Sequence, residues 1–244
     1  MKNRERMKRM ILAASVAFSF SVSAWAQEDD SLAEPERGAP DYSAAMAEAA
    51  WDWLPGDMIF RNGLNAFDEI VRQNESGQWA SVGVIRPSSG GPVVIYVDEE
   101  QGVTETPLDL FIAGEPYAVF RVTSLETVRA ETYDLGPMAL FAGILAMEMP
   151  YDTEMMFENG KFYNAELPFA AALNAGVMLV APKPLREVTS LDAPLGEVLL
   201  KNRIGHFPCI EATDEAMCWG WMRNLAIVTP GMIISSEAVK QVYP

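Results

Sequence analysis

Two cysteines, Cys209 and Cys218, and the single histidine of the chain, His206, stand within thirteen residues of one another. Two thiols with eight residues between them are, in an oxidising compartment, most simply a disulfide. Closing so short a loop would stabilise the fold by about 2 to 3 kcal/mol on the chain-entropy model. The competing reading is a reactive thiol at Cys209, but His206-Phe207-Pro208-Cys209 does not place it at a helix N-terminus, where its pKa would fall. His206 with Glu211, Asp214 or Glu215 lacks the second histidine or thiolate that a zinc site needs. Asp98-Glu99-Glu100 and the group Glu148, Asp152, Glu154 and Glu158 lack calcium-loop spacing and read as solvated turns and helix faces. No metal or cofactor is expected. The 14 methionines, Met138, Met147, Met149, Met155 and Met156 among them, read as core filler, with an adaptable apolar groove as the alternative. Trp219-Gly220-Trp221 reads as aromatic packing around the cysteine pair, with surface recognition as the alternative.

Five basic residues in the first ten, an apolar run from Ile11 to about Ala24, Ala24-Trp25-Ala26, and then Glu28-Asp29-Asp30 form the layout of a cleavable export signal. The run is too short for a stable span. The expectation is cleavage after Ala26, a secreted and periplasmic location, a flexible acidic lead-in over 27–41 and a folded domain over 42–244. The whole chain carries 18 basic and 34 acidic residues, and removal of residues 1–26 leaves 13 against 33, a formal charge of −20. Nucleic acid and anionic membrane surfaces are therefore poor partners. About 218 residues remain, enough for one sizeable core.

The positions that could carry chemistry need elements to hold them. Ala44 to Trp53 has the spacing of a short helix stopped by Pro55-Gly56, and Asp57 to Arg61 reads as a strand. Leu64 to Arg72 has the spacing of an amphipathic helix. Trp79 to Ile85 and Val93 to Val97, rich in β-branched residues and joined by Ser88-Ser89-Gly90-Gly91-Pro92, predict a hairpin. Further strands are expected over 103–106 and 117–122, with helices over 108–112, 138–147 (buried), 165–175 and 195–201. The pattern is α+β, with helices covering a central antiparallel sheet.

Leu54-Pro55-Gly56-Asp57-Met58-Ile59-Phe60, Gln78 to Ile85, Thr106-Pro107-Leu108, Pro150-Tyr151-Asp152 with Phe157, Phe162 to Leu167, and Val228-Thr229-Pro230 with Val242-Tyr243-Pro244 occur in an order that resembles the YiiX/YebB-like proteins. These are the permuted branch of the papain-like (NlpC-type) cysteine hydrolases. The resemblance implies a permuted papain-like domain in which a strand histidine, as base, faces a cysteine nucleophile at a helix start. Here the family's W-S-H-V-G-I reads Trp79-Ala80-Ser81-Val82-Gly83-Val84, with Ser81 at the histidine position. Its Y-C-S-E-L reads Tyr163-Asn164-Ala165-Glu166-Leu167, with Asn164 at the cysteine position. The third polar residue falls at Tyr96 or Val97.

Asn164 cannot form an acyl intermediate by the thiol route, and Ser81 cannot take the proton. Asn164 is instead expected to cap its helix, and Lys161, between Glu158 and Glu166, to stay protonated and idle. Trp79, Tyr151, Asp152, Tyr163 and Glu166 are the other expected cleft residues. The expected function is that of a pseudo-hydrolase binding a peptide, an acyl chain or a cell-envelope partner in the former cleft. The alternatives are an active amide or peptide hydrolase or acyltransferase using other residues, and a structural envelope protein whose cleft has closed.

Overall fold

A computed structural model describes residues 49–126 and 135–244. The leader, the lead-in and the first half of the helix expected from Ala44 lie outside the described residues. Among those described, no helix is long and apolar enough to cross a membrane.

Leu54-Pro55-Gly56-Asp57 forms the turn from which the sheet begins. Gly56 adopts φ 84°, and the Leu54 N–H donates to the Asp57 carboxylate at 2.8 Å. Strand β1 (Met58–Arg61) follows, then helix α1 (Ala66–Asn74), β2 (Ser81–Ser88), β3 (Gly91–Asp98), β4 (Gly102–Pro107), helix α2 (Leu108–Ile112) and β5 (Tyr117–Val122). After the undescribed residues 127–134 come α3 (Gly136–Leu140), a π-helical turn (Phe141–Leu145) and α4 (Glu166–Asn174). The rest is β6 (Lys183–Pro184), α5 (Pro194–Arg203), α6 (Glu215–Met222), β7 (Ala226–Ile227), α7 (Pro230–Ile234) and β8 (Val239–Tyr243). Six strands make one sheet in the order β4-β3-β2-β1-β5-β8, with every neighbouring pair antiparallel. The short strands β6 and β7 pair separately.

Alternation along the strands divides the core in two. Met58, Phe60, Val82, Val84, Ile95 and Val97 belong to the larger cluster, which also takes in the buried residues of α3, α4 and α5. Ile59, Ile85, Val94 and Val119 pack in a smaller cluster with Trp51, Trp53, Leu108 and Phe111. The antiparallel α+β expectation thus holds. The helix expected to end at Trp53 is not helical over 49–53. Trp51 and Trp53 are both buried and Asp52 between them is exposed, the period of two that belongs to an extended segment lying against a sheet. The hairpin is longer than expected, because Pro87 pairs with Pro92 and Ser88 with Gly91, whose φ of 110° closes the turn. The helix expected over 138–147 is not buried throughout. Met138, Ala139, Ala142 and Ala146 are buried, while Leu140, Ile144 and Leu145 face out.

One ion pair braces the start of the sheet. Arg121 on β5 donates to Asp57 at 2.7 and 2.8 Å and to the Asp52 carbonyl at 2.7 Å, with both charged side chains almost wholly buried. Such a pair adds little over an apolar substitute, but removing one partner strands the other charge. Arg121→Ala should therefore lower the unfolding free energy by about 3 to 5 kcal/mol, measured by urea denaturation. A loss under about 1 kcal/mol would mean that Asp57 finds another partner.

Candidate functional site

The site is built around Asp68, on the first turn of α1. Asn65 caps that helix: its side-chain carbonyl accepts the Asp68 N–H at 2.7 Å, and its amide donates back to Asp68 Oδ2 at 2.9 Å. Ser81, the first residue of β2, donates its hydroxyl to the same Oδ2, and so does the Asn164 amide from the turn before α4. Tyr151 hydroxyl lies 3.3 Å from Asn65 Oδ1 and 3.5 Å from Asp68 Oδ1. Sheet, first helix and α4 entry thus meet on one carboxylate oxygen.

Asp68, Ser81 and Asn164 are all buried. Burial pushes the Asp68 carboxyl up to about 7, against the opposing pull of its bonds from Ser81, Asn65 and Tyr151. Burial, with the Asp68 charge next, raises the Tyr151 phenol far above its usual range. Asn164 Oδ1 has no hydrogen-bond partner among the described residues. The free space bounded by Phe67, Asp68, Tyr163, Asn164 and Val228 is about 10 Å³, at the lower limit for a single water.

Ser81 and Asn164 are therefore brought together, and of the other expected residues Tyr151 reaches the same carboxylate and Tyr163 borders the same void, while Tyr96, Trp79, Asp152 and Glu166 do not join them. Tyr96 lies across the sheet, its ring edge-on to Phe111 at 5.2 Å beside the smaller cluster, because the strand's alternation gives Val97 to the larger core. Trp79 is a core residue. Tyr163 lines the small void, but its hydroxyl accepts the Val228 N–H at 3.1 Å. Asp152 is fully buried and accepts the N–H groups of Glu154 and Met156, each at 2.7 Å, which organises its own loop. Glu166 is buried, its Oε2 has no hydrogen-bond partner among the described residues, and desolvation, then the nearby Asp152, pushes its carboxyl up to about 9. Asn164 is not a cap: Ala165 holds the N-cap position with no side-chain bond, since the Asn164 amide is committed to Asp68. Lys161 pairs with Glu154 at 3.3 Å. Cys209 and Cys218 form the expected disulfide, with 4.9 Å between their Cα atoms. His206 is exposed, and no set of three or more metal-binding side chains converges among the described residues.

Asp68 and Asn65 are the residues that sequence reasoning missed. Asn65-x-x-Asp68 at the head of an amphipathic helix is a reciprocal capping pattern, and reading it would have marked both.

No protein-family model and no curated protein matches this chain. Among solved structures it is similar to one described as the metalloprotein yiiX from Escherichia coli O157:H7, with a TM-score of 0.60 and 21% identity over 79% of this chain and 100% of that one. At that identity the likeness establishes the fold: a YiiX-like α+β architecture around a central antiparallel sheet. The residues around Asp68 do not fit a metal ion. Asp68 is the one carboxylate among Ser81, Asn65 and Asn164, and its Oδ2 is already taken by three donors rather than left open among further ligands.

Proposed function

We propose that this chain is a non-hydrolytic member of the permuted papain-like (NlpC-type) line, an exported cell-envelope protein in which the former catalytic centre serves as an internal brace. The observation that carries the reading is the shared Asp68 oxygen: Ser81 and Asn164, at the positions the family resemblance gives to base and nucleophile, both donate to it. A thiol mechanism needs a thiolate and a base, and neither residue type supplies one. The void of about 10 Å³ admits neither a peptide nor an acyl chain, which favours a closed cleft over ligand binding within it. The protein then acts as a structural or surface-binding component.

A second reading has one observation in its favour. Ser81 donates to a carboxylate that titrates near 7, the pairing of a nucleophile with a general base. Against it, Ser81 is fully buried. Labelling with a fluorophosphonate and with iodoacetamide, together with assays on chromogenic ester and amide substrates, separates the two. The expected result is no covalent label at Ser81 and no turnover. Turnover that Ser81→Ala abolishes would establish the serine enzyme instead.

A further inference from the structure

The Asp68 brace leaves hydrogen-bonding capacity unused beside the small void next to it. Asn164 is 2% exposed, and its amide nitrogen is held on Asp68 Oδ2. The reverse orientation would set its carbonyl oxygen against an oxygen that already takes donors from Asn65 and Ser81. Asn164 Oδ1 is therefore turned away from that oxygen, and it has no hydrogen-bond partner among the described residues. Tyr163, the preceding residue, is 3% exposed. Its hydroxyl accepts the Val228 N–H at 3.1 Å, and no acceptor for its own proton occurs among the described residues. Asp68, Tyr163, Asn164 and Val228 all border the void of about 10 Å³. An unused acceptor, an unused donor and a carboxylate thus border one space.

Size and polarity together define what can occupy it. An apolar cavity stays dry, whereas one that offers a water two to four polar partners holds it. The remaining walls here are apolar, Phe67, Val71 and Ala165 among them, so an occupant finds its partners only on the polar side. Nothing larger than one water fits the volume. A water also has the complementary groups: it accepts the Tyr163 proton, donates to Asn164 Oδ1 and keeps a second proton for Asp68. Leaving both buried groups unpaired costs more than immobilising one water. We infer that a single internal water occupies the void between Tyr163, Asn164 and Asp68 and joins the α4 entry to the segment at Val228. The brace thereby reaches beyond the sheet and α1 to the connection between β7 and α7. This rests on the geometry of the proposed brace and not on the absence of turnover. A labelled Ser81 would leave it standing, and a dry void would leave the absence of turnover standing.

The test is water-to-methyl cross-relaxation by NMR on the folded protein, read at Val71 and Ala165, which border the void and are buried. A resident water gives cross-peaks of opposite sign in the laboratory and rotating frames. Such cross-peaks are expected at both residues in the wild type, and they should vanish in Val71→Ile, whose added methyl group takes the water's space. The folding equilibrium constant of Val71→Ile should also fall about tenfold, since Asn164 Oδ1 and the Tyr163 proton then lose their partner. No cross-peak in the wild type would overturn the inference. So would a cross-peak that persists in Val71→Ile, which would come from an exchanging hydroxyl, or a variant at least as stable as wild type, in which a dry void has been filled. Should Val71→Ile not fold, a wild-type crystal decides: electron density within about 3 Å of both Asn164 Oδ1 and the Tyr163 hydroxyl supports the water, and a void without density overturns it.

Discussion

Glu166→Gln should raise the unfolding free energy at pH 8 by about 2 to 5 kcal/mol, since each unit by which a buried carboxyl is displaced is worth about 1.4 kcal/mol. The folded-state value near 9 lies well above the ordinary 4.5, so between those values the folded protein holds a proton that the unfolded chain has released. Stability is then greatest toward the acid end of that window and falls as pH rises through it. Asp68, displaced from 3.8 to about 7, adds a decline of the same sign over its narrower range. Urea unfolding at pH 5 and pH 8 should show the wild type weaker at pH 8 and the Glu166→Gln slope flatter. Wild-type stability that rises over this interval would mean that Glu166 is ionised in the fold.

Asn164→Asp should be worse than Asn164→Ala, by a margin that grows with pH. The alanine variant removes one of three donors on Asp68 Oδ2, a loss of about 1 to 3 kcal/mol. The aspartate variant turns a donor into a second carboxylate against the first, and at pH 8 about 3 to 5 kcal/mol should be lost, the scale of an uncompensated buried charge. At pH 5 the two carboxyls can share a proton, and the two variants should converge. A residue that only capped its helix would give the opposite order, with aspartate the milder change. Thermal or urea melts at the two pH values decide between them.

That reversal marks how far the sequence was legible. Ser81 and Asn164 could be paired in advance, because the Trp79 to Ile85 strand and the Tyr163 to Leu167 helix entry occur in the order and spacing on which the family resemblance rests. What they are paired through could not be seen. Asp68 on an amphipathic helix has the sequence appearance of a first-turn acid facing solvent, and only the meeting of three elements buries it. The strands of the hairpins were readable as β-branched runs bounded by turn residues, and their ends were missed where Pro87 and Pro92 continue the ladder. Strand β8, with Lys240 and Gln241 on an exposed edge, and α6, whose Met, Cys and Trp residues are apolar all round, carry no clear period and went unread. Tyr96 was a question of parity: one residue along a strand changes the face.

The place of β8 in the sheet bears on how the chain comes to be folded. Strands β1 to β4 are consecutive neighbours, β1 joined to β2 through α1 and the rest by tight turns, a set of local pairings that can form as soon as residues 58–107 are available. Beside β5, which ends at Val122, the sixth place in the sheet is taken by residues 239–243. Trp51, Tyr117 and Tyr243 close their aromatic group, with ring centroids 5.0 to 5.9 Å apart, only when that last strand docks. Contacts separated this widely are slow to find and leave a strand edge open meanwhile. During synthesis, β5 therefore waits without its outer neighbour until residues 239–243 have emerged, and its edge stays open for that interval.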